Sequence, residues 1–207
     1  MKIIVIGASG TIGQAVEKAL SARHHIVRVG RTKGELQVDI ASPESIKRLF
    51  ERAAPFDAVV CAAGAARFAP LEKLTDEDFA FSLANKLIGQ VNLVRLGVKH
   101  VTDRGSFTLT SGVLANEPMP GSAAISLVNA GLEGFVRAAA LELPRGIRVN
   151  VVSPPWVSET LMGMGKDPAV GMPAEQVAMA YAAAVEGQQT GRVLNARDFK
   201  PKRMPST

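Results

Sequence analysis

The sequence predicts an α/β domain built on a doubly wound parallel sheet with helices on both faces. Three observations carry this. Short runs rich in β-branched residues alternate with longer stretches at helical spacing, the runs are apolar on both faces, and a glycine turn joins the first run to the first helix. Right-handed crossovers leave few topologies for such a chain, and a nucleotide-binding sheet is the commonest.

The elements follow in order. KIIVIG (2–7) is a buried strand, and TIGQAVEKALSA (11–22) repeats apolar residues at helical spacing. HIVRVG (25–30) and LQVDI (36–40) are strands; PESIKRLFERA (43–53) is a helix, with Ser42 as its cap and Pro43 in its first turn. DAVVCAAG (57–64) is a strand, and a long helix runs from about 75 to 101, opened by Thr75 and acidic residues that suit the helix dipole. GSFTLTSG (105–112) and IRVNVVSP (147–154) are strands on either side of a helix over 122–143. Pro173 opens a helix to about 186, and GRVLNA (191–196) is a last short strand.

The 207 residues suit one domain, with 47% hydrophobic and 21% charged residues as in ordinary globular chains. No repeat, low-complexity block or linker divides them. The single cysteine, Cys61, excludes an internal disulfide framework. No apolar run reaches the ~18 to 20 residues of a bilayer span, and the start is too short and glycine-rich for a secretory signal. A cytoplasmic protein is expected. The net charge of +5 sits largely in a basic tail over 197–207, where Arg197, Lys200, Lys202 and Arg203 are expected to be solvated. Aromatics make up only 5%, with no basic stripe among them, so neither nucleic acid nor a membrane is expected as partner.

The turn Gly7-Ala8-Ser9-Gly10-Thr11-Ile12-Gly13 carries the first chemistry. Gly7 allows a sharp exit from the strand, Gly10 admits a phosphate to the backbone, and Gly13 seats the helix near the sheet. A pyrophosphate would rest on the helix's first N–H groups, with the Ser9 and Thr11 hydroxyls adding donors. At the end of the second strand stands Arg31, where an acid would bind a ribose hydroxyl. A guanidinium there suits a 2′-phosphate, so NADP is favoured over NAD; the alternative is an exposed loop cation.

GASGTIG, VDI (38–40), CAAG (61–64), TLTSG (108–112) and GIRVNVVSPPWV (146–157) resemble the short-chain dehydrogenases/reductases in order and spacing. The resemblance spans residues 2 to about 194. It implies a three-layer Rossmann fold of seven parallel strands, and a homodimer or homotetramer paired through the long helices. It places Asp39 and Ile40 near the adenine, Ala62, Ala63 and Gly64 along the adenine ribose, and Pro154, Val157 and Thr160 against the nicotinamide. The chain departs from the family at several points: CAAG (61–64) stands where Asn-Asn-Ala-Gly is usual, Pro154-Pro155 stands where Pro-Gly is common, and the glycine spacing is that of atypical members.

The family's chemistry uses Ser, Tyr, Lys and Asn, with Tyr and Lys one helical turn apart. Here the Tyr position holds Ile125 and the Lys position Asn129; the chain's one tyrosine is Tyr181, far downstream. Ser111 stands at or beside the Ser position. Counting back from Gly89, Lys86 falls where the family has Asn. The resemblance thus suggests exchanged roles, with Lys86 and Asn129 facing each other near the nicotinamide ribose. Asn129 is either a residue of that site or a bonded core amide.

The histidines show no metal-ligand spacing. Met162, Met164, Met172 and Trp156 either line an apolar substrate pocket or pack on the core. Three functions remain: an NADP(H)-dependent oxidoreductase of small carbonyl or alcohol compounds, with Ser111 holding the carbonyl oxygen and Lys86 giving the proton; an NADP(H)-binding sensor or scaffold without turnover; or an enzyme that acts on something other than a carbonyl.

Overall fold

The computed structural model describes residues 1–199. Lys2–Ile6 (β1) leads through the glycine turn into Thr11–Leu20 (α1), then His25–Gly30 (β2) and Leu36–Gln37 (β3). Pro43–Ala53 (α2) and Phe56–Cys61 (β4) follow, then Asp76–Ser82 (α3), Gly89–Gly97 (α4) and Val101–Thr110 (β5). Ala123–Glu142 (α5), Arg148–Ser153 (β6), Ser158–Gly163 (α6), Ala174–Glu186 (α7) and Val193–Asn195 (β7) complete the described chain.

The seven strands form one parallel sheet in the order β3-β2-β1-β4-β5-β6-β7. The doubly wound α/β fold expected from the sequence is present. Winding runs outward from β1 to β3, then restarts at β4 on the other side of β1. That reversal opens a crevice above the carboxyl ends of β1 and β4, where such sheets bind ligands. Alternation along β1 divides the core: Ile4 and Ile6 pack with Phe50, Leu93 and Leu132, while Ile3 and Val5 pack with Val16, Val177 and Tyr181 on the other face.

Local chemistry fixes the expected boundaries. The Ser42 hydroxyl accepts from the Ser45 amide at 3.2 Å, and Pro43 opens α2. Thr75 and Asp78 form a reciprocal capping box at α3.

The structure corrects other expectations. The helix expected over 75–101 is interrupted: Leu83–Ile88 is a π-helical turn, and the helix ends at Gly97. The Asn85 amide bonds the Phe81 carbonyl at 3.0 Å within this distorted stretch. Strand β3 stops at Gln37 rather than residue 40, because Asp39 turns its amide to the Ser45 hydroxyl. Strand β5 begins four residues early, with a register irregularity against β4. The short helix α6 had no signal in the sequence.

Helix α5 is long and apolar enough to cross a membrane, contrary to the expectation that no segment would be. Its Val128, Leu132 and Val136 are instead fully buried in this fold. Arg197 is not a free tail cation: it forms a two-pronged ion pair with Glu117, at 2.5 and 3.1 Å. Lys200, Lys202 and Arg203 lie outside the described residues.

Candidate active site

The crevice begins at the turn from β1 to α1. Gly7 has φ +85°, and a Cβ on Gly13 would fall 2.0 Å from the Gly7 carbonyl oxygen. Only glycine lets the helix start this close to the strand. Gly10, Ser9 and Thr11 are exposed at its mouth, and α1 begins with no side-chain cap and no acid in its first turn. Its first N–H groups are therefore open to an anion.

Beside this turn, Ile12, Ala62, Ala63, Gly64, Lys86, Ser111, Asn129, Pro154, Val157 and Thr160 line one cavity of about 390 Å³. Next to it, Arg31, Asp39, Ile40, Ala63, Gly64 and Asn85 border a second space of about 240 Å³. Residues scattered along the sequence thus converge at the point where the winding reverses. Ile125 sits on the wall of the larger cavity, at the position where the sequence lacks a tyrosine.

Lys86 comes from the π-helical turn. Its Nζ donates to the Ser111 carbonyl at 3.2 Å, and burial pulls the ammonium down to about 8. Gly64 makes room for its stem, since a Cβ there would lie 3.1 Å from the Lys86 Cγ. Asn129, 1% exposed on α5, donates to the next carbonyl, that of Gly112, at 3.3 Å. Its Oδ1 is buried without a partner. Asn129 is therefore only half satisfied, and it stands at the cavity wall.

Ser111 behaves differently from the role expected of it. Its hydroxyl donates to Glu133 at 3.1 Å, so its one proton is not free to hold a carbonyl oxygen. Glu133 is 3% exposed, accepts from the Asn116 amide at 3.3 Å, and lies 3.6 Å from Arg137. Sequence reading missed this carboxylate. Its one signal was an acid one turn after Asn129 on an otherwise apolar face.

Tyr181 does not stand in for the missing tyrosine. Thr110 gives its hydroxyl proton to the Cys61 carbonyl at 2.6 Å, so the fully buried Tyr181 must donate to Thr110, at 2.7 Å. Burial also raises its phenol well above the ordinary value. Trp156 lines the cavity and meets Phe68 edge-on at 6.5 Å, whereas Met162 and Met164 are exposed and Met172 bridges Val157.

Arg31 lies 3.6 Å from Asp39, whose other oxygen accepts from the Ala41 amide. Two arginines not singled out in the sequence, Arg48 and Arg52 of α2, share with Arg31 a cavity of about 430 Å³. Their spacing of four residues puts both on one helix face.

Comparison with known proteins settles the family. Residues 7–193 match the family model described as Enoyl-(Acyl carrier protein) reductase. The chain belongs to the short-chain dehydrogenases/reductases. Among members of that family it is 31% identical to carbonyl reductase family member 4 of Danio rerio, over 92% of this chain and 94% of that one. The crystal structure of the protein lin1944 from Listeria innocua is 41% identical, covering 94% of this chain and 98% of that chain with a TM-score of 0.91. A small-chain dehydrogenase solved in complex with NADPH is 25% identical, covering 94% and 95% with a TM-score of 0.83. Short-chain dehydrogenases/reductases are oxidoreductases that bind a nicotinamide cofactor.

Proposed function

We propose that this chain is an NADP(H)-dependent oxidoreductase of small carbonyl or alcohol compounds, with Lys86 in place of the family's tyrosine as proton donor. The single observation that carries the reading is Lys86 itself. It is a half-buried ammonium on the cavity wall, hydrogen-bonded to a neutral carbonyl and lowered to about 8, where it can release a proton near neutrality.

The glycine turn and the uncapped start of α1 fit a pyrophosphate, and Arg31 with Arg48 and Arg52 fits a 2′-phosphate. The relative solved with NADPH agrees with that choice. NADPH supplies the hydride when bound. Asn129 would orient the ribose from α5, and the apolar wall with Ile125 and Trp156 would exclude water from the carbonyl carbon.

A screen of carbonyl compounds, followed by absorbance of the reduced nicotinamide, tests the reading. Turnover that Lys86→Met lowers a hundredfold or more supports it; turnover unchanged by that variant rejects it. A second reading, an NADP(H)-binding sensor or scaffold, is favoured by Ile125 and by the commitment of the Ser111 proton to Glu133. Cofactor binding with no turnover on any carbonyl would select it.

A further inference from the structure

Lys86 differs from the chain's exposed lysines in what surrounds it. Lys18 pairs with Glu175 and Lys47 lies 3.9 Å from Glu44, whereas no carboxylate among the described residues pairs with Lys86. The groups that share its surroundings are uncharged. From β4, Cys61 is buried and held at about 12. From β5, Thr110 donates to the Cys61 carbonyl. From α5 come Asn129 and the apolar Ile125.

No carboxylate holds the positive charge and only the Ser111 carbonyl meets Nζ, so burial lowers the ammonium to about 8 and leaves more neutral amine near neutrality than an ordinary lysine has. A neutral primary amine on an otherwise largely apolar wall is a nucleophile toward carbonyl carbon. A second feature points the same way. Asn129 Oδ1, buried and without a partner on the same wall, is an acceptor waiting for an N–H or O–H.

We propose that Lys86 of the cofactor-free protein captures small, neutral, apolar aldehydes and ketones reversibly as a Schiff base. The Nζ lone pair forms a bond to the carbonyl carbon while the C=O π pair moves to oxygen. A proton passes from nitrogen to that oxygen, giving a carbinolamine. The nitrogen lone pair then re-forms a double bond to carbon, and the hydroxyl leaves as water after taking one proton from solvent. Nothing is oxidised or reduced, and one water is released. The asparagine oxygen would accept from the carbinolamine hydroxyl or the iminium N–H. This activity needs neither cofactor nor hydride, so it goes beyond the reductase reading and stands without it.

The test is reductive alkylation of the folded, cofactor-free protein with butanal and cyanoborohydride at neutral pH, mapped by peptide mass spectrometry. Lys86 should gain a butyl group about a hundredfold faster than the exposed Lys47 and Lys73, because burial lowers its ammonium. Lys86→Met and Lys86→Arg, checked for folding by circular dichroism, should lose that fast phase. Labelling of Lys86 in the wild type no faster than Lys47 and Lys73 would overturn the proposal. So would a fast phase that survives in both variants.

Discussion

Lys86 and Asn129 donate to consecutive carbonyls, those of Ser111 and Gly112, at 3.2 and 3.3 Å. One comes from a π-helical turn and the other from α5, yet they hold two adjacent peptide units past the end of β5. Loss of either frees a carbonyl that orients the other. In a double-mutant cycle, Lys86→Ala and Asn129→Ala should each weaken NADP(H) binding and should couple by about 0.5 to 3 kcal/mol. Strict additivity, or normal binding by the folded Asn129→Ala protein, would reject a shared site.

Lys86 should also destabilise the empty fold. Its folded value of about 8 lies below the ordinary 10.5, so between those two the unfolded chain binds more protons and stability rises with pH. Below pH 8 the cost is fully present. Lys86→Met should then be more stable than wild type by on the order of 2 kcal/mol at pH 7, with the gap shrinking toward pH 10.5. Urea melts across this range would show a constant gap if the lysine were solvated.

Ser111→Ala should act on stability rather than on cofactor binding. The hydroxyl's partner is the buried Glu133, and removing the donor leaves a carboxylate short of one bond. A loss of about 1 to 3 kcal/mol in chemical denaturation is expected, with NADP(H) affinity unchanged. A large fall in affinity without destabilisation would return Ser111 to the substrate.

NADP(H) should bind about ten- to a hundredfold more tightly than NAD(H), the worth of one charge-assisted phosphate contact. Arg31→Ala should remove most of that preference, and Arg48→Ala or Arg52→Ala part of it, because the three share one cavity. Calorimetric titration with both cofactors measures this, and equal wild-type affinities would remove the case for NADP.

We also propose self-association through α5. Leu127 and Leu141 are 49% and 87% exposed, and Ala130, Gly134 and Ala138 are exposed between them at helical spacing. Leu127→Glu with Leu141→Glu should turn a dimer or tetramer into a monomer in sedimentation. A wild type monomeric at micromolar concentration would reject the interface.

The sequence by itself determined the alternation of strands and helices, the glycine turn, the cap at Ser42, the helix start at Thr75, and the absence of tyrosine at residue 125. These rest on local chemistry: β-branched runs, a Cβ that cannot fit, a hydroxyl three residues before an amide. Tertiary structure decided what needed distant partners. The π-helical turn that presents Lys86 had no local signal. Arg48 and Arg52 join Arg31 only because α2 packs beside β2 and β3. The Ser111 proton went to Glu133, 22 positions away, and the Tyr181 hydroxyl to Thr110, 71 positions away. Hydrogen-bond partners of buried groups are set by which elements the fold brings within about 3 Å, and spacing along the chain does not encode that distance.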